Sequence, residues 1–191
     1  MPFSEAEIIA RLARVRLLAL DVDGTLTDGT VTFDDAGRES KRFHIHDGLG
    51  IVLARFVGLE TAWITGRTSP VVERRARELG VPYLLQGVRD KGIALAELAI
   101  RSQISLENIG FMGDDLNDLP ALRLAAAALA PANAVPEVLA AAHYVAQQPG
   151  GHGAVRDALT TILRARGDYD AALGAYLVSL SVPIPAPALP Q

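Results

Sequence analysis

Short runs of aliphatic residues alternate along the chain with longer segments in which apolar positions recur at helical spacing. This alternation is typical of an α/β fold, in which helices cover a parallel β-sheet. The predicted strands are Leu17–Val22, Glu60–Thr65, Tyr83–Gln86, Ile109–Met112, Ala126–Leu129 and Tyr144–Ala146. The predicted helices are Gly48–Val57, Pro70–Leu79, Lys91–Ser102, Asp118–Leu124, Pro136–Ala141 and Ala154–Arg166. Ser4 and Glu7 form a capping-box pattern, which predicts one more helix at the start of the chain.

Two segments depart from this alternation. Residues 28–43 contain two alternating stretches around Asp35-Ala36-Gly37, which predicts a β-hairpin inserted directly after the first strand. From Ala171 the chain becomes apolar and then rich in proline, and proline excludes a regular helix or a central strand. We therefore predict a single domain over residues 1–170 and a tail over 171–191. The tail is either a frayed terminus or a segment docked on a neighbouring subunit.

Composition and charge narrow the possible partners. The 22 acidic and 18 basic residues give a net charge of -4 without a basic run, so we expect no nucleic acid or anionic membrane as partner. The chain contains no cysteine, which excludes disulfides and thiolate metal sites. The first residues lack the pattern of a signal peptide. These features predict a cytoplasmic protein that acts on a small molecule.

Polar residues follow the predicted strands at four places, where open parallel sheets bind their ligands. The four places are Asp21-Val22-Asp23, Thr65-Gly66-Arg67, Lys91 and Gly113-Asp114-Asp115. Each of them alone is equally typical of a turn, a strand end, a loop or a solvated lysine. Because the carboxyl ends of parallel strands share one edge, their joint occurrence predicts a functional site at that edge.

The closely spaced carboxylates indicate a metal. Asp21 and Asp23 repel each other, and each raises the pKa of the other unless a cation or hydrogen bonds intervene. Asp21 and Asp114, at separate strand ends, offer the oxygen ligands that Mg²⁺ prefers, with water and phosphate completing the shell. In extended chain Asp21 and Asp23 project to the same side roughly 6 to 7 Å apart. One carboxylate can then attack a reacting group while the other transfers protons.

The same residues resemble a known family. The segments 21–25, 65–67 and 113–118, together with Lys91, resemble the four motifs of the haloacid dehalogenase superfamily of phosphohydrolases. The stretches DVDGTLTDG, HDGLGI, TGRTS, RDKG, GDDLNDLP and GGHGAVRDAL are similar to those of the 3-deoxy-D-manno-octulosonate 8-phosphate (KDO 8-phosphate) phosphatases. The likeness spans about residues 17–163. It implies a three-layer Rossmann-like fold without a cap domain, the hairpin being the one insertion.

The resemblance also implies roles for individual residues. Asp21 would attack phosphorus, and Asp23 would act as acid and base and contact the substrate. Thr65 and Lys91 would hold the transferring group. Mg²⁺ would be held by Asp21, by the backbone carbonyl of Asp23 and by Asp114. Residues implied to orient this shell or Lys91 are Asp115 and Asp118.

The family pattern implies that a phosphorylated sugar acid is the substrate and that the protein is a homotetramer. It implies substrate contacts by His44, Ile45, His46, Asp47, Gly48, Arg67 and Arg75. On a strand, His44 and His46 would share one face, where a contact with substrate is favoured over metal ligation because magnesium prefers oxygen. The sequence departs from the family pattern at His46 and Val52, where the family carries arginine. The amides of PGGHGAVRDAL, at the start of the last predicted helix, are a further candidate for binding an anion.

Several functions fit these residues. The leading hypothesis is magnesium-dependent hydrolysis of KDO 8-phosphate through an aspartyl phosphate. A second is hydrolysis of a different nonulosonate, such as a 9-phosphate of a sialic-acid-like sugar. A third is a catalytically silent module that binds beside a cytidylyltransferase. A phosphomutase is a further option, against which the missing cap domain counts.

Overall fold

A computed structural model describes residues 3–181 of the chain. Its strands are β1 (Leu17–Leu20), β2 (Thr32–Phe33), β3 (Glu39–Ser40), β4 (Glu60–Ile64), β5 (Tyr83–Leu85), β6 (Ile109–Met112), β7 (Ala127–Ala130) and β8 (Tyr144–Val145). Its α-helices are α1 (Glu5–Ala13), α2 (Ile45–Arg55), α3 (Pro70–Leu79), α4 (Lys91–Ser102), α5 (Leu119–Leu124), α6 (Pro136–Ala141), α7 (Ala154–Arg166) and α8 (Tyr169–Ser181). None of these helices is long and apolar enough to cross a membrane.

A parallel sheet forms the centre of the molecule, with the strand order β5-β4-β1-β6-β7-β8. β1 lies in the middle and pairs with both β4 and β6. Its last residue, Leu20, is level with Trp63 on one side and with Met112 on the other. The chain therefore leaves these three strands at nearly the same height, and the polar residues that follow meet at one edge.

Helices cover both faces of the sheet, which confirms the predicted three-layer α/β fold. Successive residues of a strand point to opposite faces. Accordingly Leu18 and Leu20 belong to a core shared with α1, α2 and α7, whereas Leu17 and Ala19 belong to a second core shared with α4 and α5. All four side chains of β1 are fully buried, so the strand that carries the first polar cluster is held on both sides.

Local signals set most helix boundaries. Ser4 and Glu7 form the predicted capping box of α1. The side chain of Asp90 accepts hydrogen bonds from the amides of Gly92 and Ile93, so α4 begins at Lys91 as predicted. Four further elements agree with the prediction at both ends, namely α3, α6, α7 and β6.

The start of α2 was predicted wrongly. This helix begins at Ile45 rather than at Gly48, and His44 is its N-cap residue. His44 and His46 therefore do not lie on a strand. Their rings still meet edge to face, with centroids 5.0 Å apart.

The hairpin and the C-terminal segment lie at the periphery. β2 and β3 pair antiparallel, Thr32 with Ser40 and Phe33 with Glu39, which confirms the inserted hairpin. Helix α8 crosses the expected boundary between residues 170 and 171, so the division into domain and tail stays a prediction. The prolines of the tail lie outside the described residues.

Candidate active site

A buried lysine joins two buried carboxylates at the edge of the sheet. Nζ of Lys91, the first residue of α4, lies 2.5 Å from Oδ1 of Asp21 and 2.5 Å from Oδ1 of Asp118. Asp21 directly follows β1, and its amide donates to the carbonyl of Met112. Asp118 lies in the loop that follows β6, and its side chain is fully buried.

Burial and charge shift the pKa values of this group. Burial raises the pKa of Asp21 well above its usual value, the negative charge of Asp118 adds to the effect, and Lys91 opposes it. Burial by itself would lower the pKa of Lys91, but Asp21 and Asp118 outweigh it and raise that pKa. Lys91 is therefore an ammonium that neutralises part of the negative charge.

A third carboxylate completes an acidic group suited to a metal. Carboxylate oxygens of Asp21, Asp114 and Asp118 all lie within 4.8 Å of one another. Burial, followed by the charge of Asp118, raises the pKa of Asp114 to about 6. Thr25 donates a hydrogen bond of 3.2 Å to Oδ1 of Asp114. Every potential metal ligand in this group is a carboxylate oxygen, and Asp114 is half-buried, so that water can reach it. The group therefore fits a hard divalent cation that keeps some of its water ligands.

Asp118 also accepts hydrogen bonds from the backbone of the loop that follows β6. Its Oδ2 accepts the backbone amides of Asp114 at 2.9 Å and of Asp115 at 3.1 Å, while its Oδ1 accepts from Lys91. Asp115 itself is exposed, and its side chain accepts the amide of Leu116 at 2.7 Å. These contacts favour the orienting role of Asp118 over direct ligation, and the assignment stays a prediction.

Gly24 makes room for the acidic group. Its φ is +106°, a conformation that residues with a side chain rarely adopt. A Cβ atom at this position would overlap the carboxylate of Asp114. The glycine after the Asp21-Val22-Asp23 motif therefore lets the loop turn close to a predicted metal ligand.

Asp23 lies beside this group and is held from two sides. Its Oδ2 accepts a hydrogen bond of 3.3 Å from Oγ1 of Thr65, and its Oδ1 accepts from Nζ of Lys41. The fold thus brings Asp23 and Thr65 together from the ends of β1 and β4, as their place in the sequence predicts. The contact with Lys41 was not predicted.

Lys41 is the site residue that the sequence analysis missed. It belongs to the hairpin segment, which appears in the sequence only as an exposed insertion. Its side chain is nevertheless only 1% exposed. The available signal is that Glu39 and Lys41 are two residues apart in the alternating stretch, a spacing that places side chains on the same face of an extended chain.

Arg67 lies at the rim of the site. Its guanidinium donates a hydrogen bond of 2.8 Å to Glu39 of the hairpin. Arg67 is exposed and close to the edge of the sheet, where the resemblance places a substrate contact. That contact stays a prediction.

The other predicted substrate residues form a second group around the start of α2. His44, Asp47, Gly48 and Arg75 surround, together with Trp63, a cleft that is too narrow to admit a water molecule. His44 and His46 also line a wider, open cavity of about 500 Å³ with His152 and Arg156. The structure thus brings these residues together, whereas Ile45 points outward and is 73% exposed. Their contacts with substrate stay predictions.

The sequence suggested that amides at the start of α7 bind an external anion, but two of these amides already bind a carboxylate of the protein. Asp47 is buried, and its carboxylate accepts the amides of Arg156 at 2.7 Å and of Gly153 at 3.3 Å. Burial raises the pKa of Asp47, and these hydrogen bonds oppose the shift. An internal carboxylate therefore occupies the position at the helix N-terminus that an anionic ligand would take.

Comparison with known proteins decides the family. Residues 80–159 match the haloacid dehalogenase-like hydrolases. Over 169 residues the chain is 41% identical to the 3-deoxy-D-manno-octulosonate 8-phosphate phosphatase of Escherichia coli K12, an alignment that covers 88% of this chain and 90% of the relative. The chain belongs to the KDO 8-phosphate phosphatase family. As a member of this family it is a phosphoric monoester hydrolase.

Solved structures of this phosphatase family share the fold. The KDO 8-phosphate phosphatase of Moraxella catarrhalis, solved with magnesium, phosphate and KDO, matches with a TM-score of 0.87 and 38% identity, over 91% of this chain and 99% of that one. The cobalt-bound Haemophilus influenzae enzyme matches with a TM-score of 0.83 and 33% identity, over 87% and 99%. Both of these family members bind a divalent metal.

Proposed function

We propose that this chain hydrolyses KDO 8-phosphate to KDO and inorganic phosphate in a magnesium-dependent reaction. The observation that carries the proposal is the convergence of Asp21, Lys91, Asp23 and Thr65 at one edge of the sheet. The family membership supports it, since the Escherichia coli relative carries this activity in its name. A silent binding module would have no reason to keep this arrangement intact.

The proposed first step is transfer of the phosphoryl group to Asp21. The carboxylate of Asp21 attacks phosphorus in line, and the bond between phosphorus and the sugar oxygen breaks. Asp23 gives its proton to that oxygen, so the sugar acid leaves as an alcohol. Lys91 lies 2.5 Å from Asp21 and offsets negative charge as the bond forms.

The proposed second step is hydrolysis of the aspartyl phosphate. Asp23, now ionised, accepts a proton from a water molecule that attacks the same phosphorus. The bond between phosphorus and Asp21 breaks, which releases inorganic phosphate and restores the carboxylate. Thr65, which donates to Asp23 in the structure, is also within reach of a phosphoryl oxygen held between them.

Asp21 and Asp114 are the proposed side-chain ligands of Mg²⁺, with the backbone carbonyl of Asp23 as a third ligand. When bound, the cation supplies positive charge that stabilises the transferring phosphoryl group. The raised pKa values of Asp21 and Asp114 support the assignment, because uncompensated carboxylates in this group need a cation. Asp118 holds Lys91 and the loop that carries Asp114.

A second candidate substrate is a longer sugar acid phosphorylated at position 9. The observation that favours it is His46, exposed beside His44, His152 and Arg156 in a position where the family pattern has arginine. An imidazole lacks the forked pair of donors with which a guanidinium binds a carboxylate. The site around α2 is therefore where the two substrates would be distinguished.

We further propose a cytoplasmic homotetramer. The hairpin exposes Val31 and Phe33, and α8 exposes Leu177, Val178 and Leu180. Exposed apolar side chains of this kind suit contacts between subunits. Light scattering on the purified protein tests this point, and a monomer at micromolar concentration would contradict it.

The test of the proposed reaction is phosphate release by the purified protein. The substrates are KDO 8-phosphate, a nonulosonate 9-phosphate and a hexose phosphate, each with magnesium and with a chelator. We expect selective, magnesium-dependent turnover of KDO 8-phosphate and a loss of about 10⁴-fold or more in Asp21→Asn. Asp170→Asn, the same substitution on exposed α8, is the matched control and should leave the rate unchanged.

The other outcomes each have one meaning. Preference for the 9-phosphate would replace the proposed substrate by the longer sugar acid. Absence of magnesium-dependent release from any of the esters would overturn hydrolysis as the function and favour the silent module.

A further inference from the structure

Lys41 is a buried cation on an exposed element. The strands of its hairpin contain two residues each, and Phe33 at the end of β2 is 58% exposed. The Lys41 side chain is only 1% exposed. An ammonium group taken out of water is destabilising unless it is paired, so its partners determine where this hairpin lies.

The partners of Lys41 are two carboxylates. Its Nζ donates to Oδ1 of Asp23 and lies 3.4 Å from Oε1 of Glu39. Asp23 is 18 positions away in the sequence, at the end of β1. Lys41 is therefore the direct link between the inserted hairpin and the proposed acid and base.

Two contacts fix the orientation of the Asp23 carboxylate. Lys41 holds Oδ1 and Thr65 holds Oδ2. The terminal torsion of an aspartate is broad, so a carboxylate without partners samples many orientations. The Thr65 contact alone, at 3.3 Å and from a neutral hydroxyl, is the weaker of the two restraints.

Glu39 extends the link to the opposite side of the site. The same Oε1 atom lies 3.4 Å from Nζ of Lys41 and 2.8 Å from Nη2 of Arg67. Arg67 follows β4 and Asp23 follows β1. Glu39 therefore contacts both Lys41, which binds Asp23 after β1, and Arg67, which follows β4. Through these two contacts the hairpin is connected to the ends of both strands.

We propose that Lys41 is a positioning residue for catalysis, which holds the Asp23 carboxylate towards the oxygen of the leaving group, with Glu39 as its anchor. The inference rests on the proposed role of Asp23 in proton transfer. A general acid must come within about 2.6–3.2 Å of the atom that it protonates. Without Lys41 the carboxylate is free to turn away from that atom, while Asp21 and Lys91 keep their places.

The experiment compares leaving groups of different acidity. An alkyl phosphate, such as the sugar phosphate that the wild type hydrolyses fastest, needs a proton on its leaving oxygen, whereas p-nitrophenyl phosphate does not. In Lys41→Met we expect kcat/KM, which reports the steps up to release of the leaving group, to fall about 10- to 100-fold on the alkyl ester and less than about threefold on p-nitrophenyl phosphate, because complete loss of general acid catalysis costs about 10²- to 10⁴-fold. The quantity compared is kcat/KM rather than kcat, because both esters form the same aspartyl phosphate and Asp23 also acts as the base in its hydrolysis.

Two further variants complete the comparison. Glu39→Gln keeps the shape of the side chain but removes the negative charge that attracts Lys41. We therefore expect a loss that is again selective for the alkyl ester but smaller than in Lys41→Met. Arg38→Met removes an exposed cation from the same hairpin, and both rates should stay at the wild-type level. Melting temperatures of all variants establish that the proteins compared are folded.

Equal losses of kcat/KM on both esters would overturn the proposal, because a purely structural clamp affects every substrate alike. Unchanged rates on both esters would overturn it as well. If the wild type prefers another sugar phosphate, the proposed substrate fails while the comparison of leaving groups still tests Lys41. If Asp23→Asn itself loses no more kcat/KM on the alkyl ester than on p-nitrophenyl phosphate, the proposed role of Asp23 as the acid fails, and the inference with it.

Discussion

Nζ of Lys91 lies 2.5 Å from Oδ1 of Asp21, although the two residues are 70 positions apart in the sequence. The side chains are 2% and 5% exposed, so water screens neither charge well. Asp118 contacts the same ammonium from the other side. The site is therefore built around one buried cation that two strand ends share.

Removing this cation should destabilise the protein as well as inactivate it. Lys91→Met leaves Asp21 and Asp118 buried without their partner, and breaking a buried ion pair on one side costs about 3–5 kcal/mol. We expect the free energy of unfolding, measured in urea with a chelator present, to fall by about this amount. Activity should be lost.

The double variant Lys91→Met/Asp118→Asn separates stability from catalysis. It removes one of the two stranded carboxylates, so it should regain part of the stability and none of the activity. A single Lys91→Met variant as stable as the wild type would contradict the central position that the structure gives to this lysine.

Magnesium should stabilise the protein more at neutral than at acidic pH. The folded-state pKa of Asp114 is about 6, above its ordinary value of 3.8. Between these values the folded protein holds a proton that the unfolded chain has lost, so the metal-free protein loses stability as pH rises through this window. A cation that binds the ionised carboxylates offsets that loss. We expect magnesium to raise the melting temperature more at about pH 7.5 than at about pH 5, because at the lower pH protons compete with magnesium for the carboxylates.

Asp114→Asn is the control for this experiment. It removes one negative charge from the acidic group, so the metal-free variant should be at least as stable as the wild type at neutral pH. Magnesium should no longer shift its melting temperature. A shift of wild-type size would show that the cation binds elsewhere.

Gly24→Ala should weaken metal binding. The added Cβ overlaps the Asp114 carboxylate, which must then move. We expect the affinity for Mg²⁺, measured by calorimetry, to fall about 10- to 100-fold, the range for changes beside metal ligands.

Gly37→Ala separates this effect from backbone strain. Gly37 also has a positive φ, +74°, but no atom lies within 4 Å of the added Cβ. This variant should keep its affinity for Mg²⁺. Equal losses in the two variants would point to strain rather than to the displaced carboxylate.

Asp47 should contribute to stability through helix α7. Asp47→Ala leaves the buried amide of Gly153 and the part-buried amide of Arg156 without their acceptor, which should lower the free energy of unfolding by about 1–3 kcal/mol. Hydrogen exchange should quicken first at these two amides. Asp47→Asn retains one acceptor oxygen and should lose less, and an unchanged exchange rate in Asp47→Ala would contradict the cap.

The layers of the fold and the place of most of the proposed catalytic residues follow from local patterns along the chain. The alternation of apolar runs predicts the parallel sheet, and parallel strands place their carboxyl ends at one edge. Residues that directly follow a strand, such as Asp21 and Thr65, therefore have their position fixed by the strand itself. Lys91 is similar, because the Asp90 cap starts its helix at that residue.

The remaining side chains of the site come together through contacts between elements that are distant in the chain. The Lys41 contact depends on how the hairpin folds back over β1, and no local pattern encodes that path. Asp47 reaches the amide of Arg156 across 109 positions, so its role as a cap depends on the packing of α2 against α7. The early start of α2 has the same origin, since burial of Asp47 holds its first turn in place. Contacts between elements distant in the chain arise from packing, which the periodicity of a single segment does not contain.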